Sequence, residues 1–404
     1  MVYKNIFLFF ITIVGCLSFS YAAIHYTKKS PTTIVNNPAP VEAPLSNDKV
    51  NSAILTEADR KQNAMQIALL LDTSGSMSGL IEQAKSQLWN ILNELSKTSK
   101  GDDIPTLEIA LYEYGNPSKS NHKYEIHQLS PFTTDMDYIS EQLFSLRTAG
   151  GEEYCGAVIK ESLDNLDWTN KEGLKMIYIA GNEAFTQGPI AYRTVCEIAQ
   201  NRNIIVNTIY CSDGAKNEAR DWRSGATAGG GEYFTINHNE ATAFVETPYD
   251  NEINRLNGEL NETYHSFNKY GESKVQNLHL QDSNASSYSK ENSAKRTKFK
   301  ASKQYKTSDW DLVDNFKKDK TILEKAMIKD ERLSKMSKNE LEAEIERMSQ
   351  KREEVKLKIN ELDKKRVTYK KDKIKADQKD NLGNSIISTV KKQAKKKGYK
   401  VEEN

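Results

Sequence analysis

The chain has 404 residues, of which 37% are hydrophobic and 28% charged, and its formal net charge is +1. That total conceals two halves: residues 1–250 carry 20 basic and 30 acidic groups, net −10, and residues 251–404 carry 37 and 26, net +11. A mean hydropathy of −0.70 is too polar for one large globule, and the length suits about two or three domains.

Residues 1–22 have the pattern of an export signal: Lys4, an apolar core from Ile6 to Val14, then small residues. Ser20-Tyr21-Ala22 suits signal-peptidase cleavage, giving a soluble periplasmic or secreted protein. Ile13-Val14-Gly15-Cys16 resembles a bacterial lipobox, which would place a lipid on Cys16. An uncleaved anchor reaching Ile24 is the third reading, although the apolar run is short of the roughly 20 residues a spanning helix needs. Residues 23–62, rich in Pro, Asn, Thr and Ser, read as a flexible linker.

Ile67 to Leu71 is a continuous apolar run, as expected of a strand buried on both faces of a parallel sheet. Asp72, Ser74 and Ser76 follow as D-x-S-x-S. An amphipathic helix comes next, with Ile81, Ala84, Leu88, Ile91, Leu92 and Leu95 at helical spacing and Gly101 as a stop. Further strands are predicted at Thr106–Tyr112, Lys123–Leu129 (an edge), Lys175–Ala180, Ile204–Tyr210 and Glu232–Ile236. Helices are predicted at Asp135–Leu146, Ala157–Leu166, Tyr192–Asn201, around Trp222 and at Glu240–Val245. This alternation implies an α/β, doubly wound, mostly parallel sheet, which binds ligands at the carboxyl ends of its strands.

The strand, the D-x-S-x-S loop and the helix resemble the von Willebrand factor type A domain over about residues 63–248. In that family the loop begins a metal-ion-dependent adhesion site (MIDAS). The resemblance implies a protein-binding module completed by Mg²⁺, Mn²⁺ or Ca²⁺, and all-oxygen donors suit such hard cations. It also implies a Thr after a Gly-Gly pair and an Asp at the end of the fourth strand. This chain departs at both places. After Gly150-Gly151 it has Glu152, and at the strand end Gly181-Asn182-Glu183 puts Asn182 where the Asp is expected. The two changes cancel in charge. Either Glu152 reaches the metal while Asn182 holds a coordinating water, or the site no longer binds metal and Glu152 or Glu153 caps the next helix.

The four cysteines, Cys16, Cys155, Cys196 and Cys211, lack zinc-knuckle spacing. A Cys196–Cys211 disulfide and buried reduced thiols are both open. No P-loop, nucleophile elbow or paired-histidine motif is present, so catalysis is not supported, and Cys155 is the one nucleophile candidate near Asp72.

Residues 249–309 read as a helix carrying Ile253, Leu256 and Leu260, then a linker strap. Residues 310–400 read as a helical, coiled-coil-like region. Ser337 and Glu340 form a capping box. Leu341, Ile345, Met348, Arg352, Val355, Ile359, Leu362 and Arg366 trace a heptad seam, with Arg352 and Arg366 as interruptions. Leu382, Ile386, Val390 and Ala394 mark another amphipathic helix, so a helical hairpin competes with a self-associating coiled coil. The lysine runs could meet anionic lipid or the acidic half of the chain, and in an exported protein nucleic acid is not expected. The sequence thus describes an exported protein of the periplasm or cell envelope, with cleaved, lipidated and anchored N-termini all open, that binds a protein partner through a metal edge. A metal-free scaffold with a coiled-coil spacer is the alternative.

Overall fold

Alternate residues of the first strand, β1 (Met65–Asp72), serve two different cores: Ile67 and Leu71 face one, Ala68 and Leu70 the other. This is the period-two consequence of a strand covered on both faces. The computed structural model describes residues 64–101, 104–117, 124–168, 173–211, 218–237, 239–240, 244–373 and 382–401. The expected export signal, Cys16 and the linker 23–62 lie outside the described residues.

The chain continues through α1 (Ser78–Leu95), a short β2 (Thr98–Ser99), β3 (Leu107–Tyr114), β4 (Ile126–Thr133), α2 (Met136–Ser145) and α3 (Cys155–Asn165). β5 (Leu174–Gly181), α4 (Tyr192–Asn201), β6 (Ile205–Cys211), α5 (Ala219–Ala228) and β7 (Gly230–Ile236) follow. The main sheet has the order β4-β3-β1-β5-β6-β7, with β4 antiparallel to β3 and every other pairing parallel. Helices α3, α4 and α5 cover one face, and α1 and α2 cover the other. The doubly wound architecture is as the sequence implied.

The C-terminal half differs from expectation in three ways. Residues 268–308, read as a linker strap, are mostly helical: after α6 (Asp250–Asn261) come α7 (Lys269–Tyr288) and α8 (Lys290–Lys300). Their ends are capped by Asn268, which accepts from Gly271 N at 2.7 Å, and by Ser289, which accepts from Asn292 N at 3.0 Å. Their buried side includes Gln281, Asn292, Arg296, Thr297 and Lys300, so apolar periodicity is absent although the helices are packed.

Secondly, α9 (Leu312–Lys318) and α10 (Lys338–Lys373) do not present a free heptad seam. The capping box forms, with Ser337 N donating to Glu340 Oε2 at 2.8 Å. Leu341, Ile345 and Met348 then pack with Phe267, Leu312 and Phe316, while Val355 and Ile359 pack with Ile253, Leu256 and Leu260. The chain therefore covers this stripe itself, on α6 and α9, rather than in a hairpin with the last helix.

Thirdly, α11 (Leu382–Lys396) belongs to the sheet rather than to the helical region. Leu382, Ile386, Val390 and Ala394 share a core with α1 and β1, and β8 (Lys400–Val401) pairs antiparallel with β2. The helix expected at Glu240–Val245 is not seen: Glu240, Phe244 and Val245 are non-helical, and 241–243 lie outside the described residues.

Candidate metal site at the carboxyl edge of the sheet

The carboxyl ends of β1, β3 and β5 converge at one edge. Thr73 ties its parts together: Thr73 N donates to Tyr114 O at 2.9 Å, and Ala149 N donates to Thr73 O at 3.0 Å. Asn116 Nδ2 donates to Arg147 O at 2.8 Å, so the β3 exit also holds the loop before α3. Trp222 Nε1 donates to Glu183 O at 2.8 Å and fixes the loop after β5.

Asp72, the last residue of β1, is fully buried. Its Oδ1 accepts from Ser74 N at 2.8 Å, whereas Oδ2 is buried with no hydrogen-bond partner. Burial pushes its pKa up to about 7, opposed by the polar groups of Ser74 and the Asn182 backbone nearby, with the charge of Glu183 adding to the rise. Ser74 Oγ lies 3.5 Å from Ser76 Oγ, and Asn182 Nδ2 donates to Ser76 Oγ at 3.1 Å. That leaves Asn182 Oδ1 buried and without a donor. Four of the expected residues are therefore brought together: Asp72, Ser74, Ser76 and Asn182.

Glu152 is placed differently. It is exposed, its backbone N–H donates to Glu125 Oε2 at 2.8 Å, and its Oε2 accepts from Gln187 Nε2 at 2.8 Å. The neighbouring Glu153 is the one turned inward, 7% exposed, with its Cγ close to Asp72 Oδ1 and Ser74 Cβ around Gly115. Burial, then the charges of Asp72 and Glu183, push its pKa up to about 7. Of the adjacent pair, Glu152 is exposed and Glu153 buried, so Glu153 is the carboxylate that lies on the Asp72 side of the loop. Nothing local in Gly-Gly-Glu-Glu-Tyr-Cys separates the two glutamates; their difference in burial exists only in the fold.

Two glycines make room for this cluster. A Cβ on Gly181 would lie 2.5 Å from Tyr114 Oη and 3.0 Å from Asp72 Oδ2. Gly115 has φ +75°, and a Cβ there would meet Glu153 Cγ at 3.0 Å and Asp72 Oδ1 at 3.2 Å. Among the described residues, no three His, Cys, Asp or Glu side chains form a metal-holding group by themselves. The donor set here is mixed, with hydroxyl and amide oxygens beside carboxylates. Unsatisfied carboxylate and amide oxygens beside two hydroxyls fit a hard cation.

The cysteines do not pair. Cys155, Cys196 and Cys211 are free thiols, and the expected Cys196–Cys211 disulfide is precluded because the two side chains belong to cores on opposite faces of the sheet. Burial pushes the Cys155 thiol well above its ordinary range, the reverse of an activated nucleophile.

A parallel sheet with one antiparallel edge strand, a central β1 and D-x-S-x-S at its carboxyl end decides the fold. It is that of a von Willebrand factor type A domain. No protein-family profile and no curated protein matches the chain. Solved structures that are similar include proximal thread matrix protein 1 from the mussel byssus, with a zinc-occupied MIDAS motif. That match has 12% identity over 43% of this chain and 41% of that chain, at a TM-score of 0.34. BatB, a conserved hypothetical protein of Bacteroides thetaiotaomicron, matches at 12% identity over 55% of this chain and 100% of its own, at a TM-score of 0.33. The vWF domain of the type V pili tip protein Mfa5 from Porphyromonas gingivalis matches at 12% over 43% and 90%, also at 0.33. The chain spans about two fifths of the length of the mussel protein it matches.

Proposed function

We propose that the protein is a non-enzymatic interaction module whose type A domain binds a protein partner through a divalent cation at the carboxyl edge of the sheet. Domains of this fold typically serve protein interaction and adhesion. The observation that carries the reading is the buried Oδ2 of Asp72, which has no hydrogen-bond partner among the described residues. A buried carboxylate without a partner is costly, and a cation removes that cost. Ser74, Ser76 and the free Oδ1 of Asn182 would hold the cation with it, and Mg²⁺ or Mn²⁺ would offer the partner an open coordination position. Zinc occupies the corresponding motif in the mussel protein, and Ca²⁺ is a further candidate.

The export pattern of residues 1–22 supports placement in the periplasm or cell envelope, with Cys16 as the lipid attachment point or the apolar run as an anchor. The spacer alternative loses its main support, because the α10 stripe is covered within the chain.

The test is a melting curve of the full chain in EDTA, in millimolar Mg²⁺ and in millimolar Mn²⁺, beside Asp72→Ala. A ligand at 100 times its Kd that binds only the folded state adds about 2.7 kcal/mol. A metal-dependent rise in wild type that is absent in the variant is expected; superimposed curves would reject the cation site.

A further inference from the structure

We propose that Glu153 is a direct carboxylate ligand of the cation, making the site self-sufficient in charge, with no carboxylate required from the partner. This inference rests on the cation-site reading above and assigns a residue to it that the loop pattern did not indicate.

Three observations converge. The Gly115 Cβ position would be 3.0 Å from Glu153 Cγ, 3.2 Å from Asp72 Oδ1 and 3.6 Å from Ser74 Cβ, so these side chains crowd around one point. Glu153 is buried beside Ser74 and Asp72, whereas the Glu152 carboxylate is exposed and engaged by Gln187. The other oxygen of the Asp72 carboxylate, Oδ2, is buried beside Gly181 and has no hydrogen-bond partner among the described residues.

Two neighbouring buried carboxylates, with no basic side chain hydrogen-bonded to either among the described residues, are a poor arrangement for a closed core, because like charges in a low-dielectric interior repel. They are a good arrangement for a divalent ion. Asp72 and Glu153 together supply the two negative charges that neutralise it, while Ser74, Ser76 and Asn182 add neutral oxygens. A neutralised cation is a weaker electrophile, so it binds without waiting for an acidic group from outside. The partner then completes the site with a neutral oxygen or by contacts around the rim.

Calorimetric titration with Mn²⁺ alone, on the full chain, tests this with wild type, Glu153→Gln, Glu152→Gln and Asp72→Ala. Wild type is expected to bind without a partner. Glu153→Gln should weaken affinity about tenfold or more, and Glu152→Gln should leave it within about twofold. Glu153→Asp, which keeps the charge but retracts it by one methylene, should fold and bind more weakly than wild type. That second variant keeps the test decisive if the glutamine is poorly tolerated. Unchanged affinity in both Glu153 variants would overturn the inference and leave the Asp72 site standing. No Mn²⁺ binding by wild type would remove both.

Discussion

Two sets of largely buried carboxylates in this molecule are treated in opposite ways. Where the C-terminal helices pack on one another and on α2, Asp137, Asp250, Asp282, Asp311 and Asp314 are answered by guanidinium groups. Arg352 meets Asp311 at 2.6 Å and Asp314 at 2.8 Å, Arg296 meets Asp137 at 2.6 Å and Asp282 at 2.5 Å, and Arg366 meets Asp250 at 2.5 Å. At the carboxyl edge of the sheet, Asp72 is equally buried, and its Oδ2 has no hydrogen-bond partner among the described residues. The first arrangement is closed, and its charges hold helix to helix. The second is open: among the described residues no basic side chain is hydrogen-bonded to Asp72, which is where the proposed cation would act.

That contrast gives predictions of unequal size. The largest concerns the closed network. Arg352→Met should destabilise by about 3–5 kcal/mol in urea unfolding, because it strands Asp311 without its counter-charge. A loss below about 1 kcal/mol would mean that the heptad interruption is not a structural tie. Next is the helix that completes the sheet core. Ile386 is 2% exposed and borders a cavity of about 20 Å³ with Leu88 and Ile91, so Ile386→Ala should cost about 2–5 kcal/mol. A near-neutral result would show that α11 is not part of the core.

Gly181→Ala probes the open site through packing. Its methyl would press on Tyr114 Oη and Asp72 Oδ2, costing about 1–3 kcal/mol and also reducing the Mg²⁺-dependent rise in melting temperature. If the variant is destabilised but keeps its full metal response, the close approach to Asp72 is incidental.

The smallest effect is in acid. Burial raises the pKa of Asp282, but the charges of Lys300 and Arg296 and hydrogen bonds from Asn261 and Asn257 outweigh it, holding the carboxyl below its ordinary 3.8. The folded state then binds fewer protons than the unfolded one. Asp282 therefore contributes stability above the ordinary aspartate range, and that contribution is lost as pH falls through and below it. The stability gap between wild type and Asp282→Asn should narrow steadily below about pH 4. A constant gap would assign the residue a packing role only.

The sheet was legible in the sequence because its physics is local: apolar runs ended by polar loops, each followed by a helix of period 3.6. D-x-S-x-S was legible for the same reason, as one short loop after one strand. Glu153 was not, since which of two adjacent glutamates turns inward is set by the path of the loop over Gly115. The helices over 268–308 were hidden because Gln281, Arg296 and Lys300 occupy buried positions that apolar residues normally mark. The seam through Arg352 and Arg366 was visible as a heptad. Its partner was not, because Asp250 and Asp311 lie 116 and 41 residues away. For the same reason the membership of α11 in the sheet core, through contacts with α1 nearly 300 residues earlier, has no local signature.

The most direct test of the central contrast is the urea midpoint of wild type and Asp72→Asn, each in EDTA and in millimolar Mg²⁺. The substitution removes an uncompensated buried charge, so in EDTA the variant should be as stable as wild type or more so. In Mg²⁺ the order should reverse, because only wild type gains a bound cation. A variant that is less stable than wild type by the same amount in both conditions would contradict the account, showing Asp72 to be a structural residue that no cation completes.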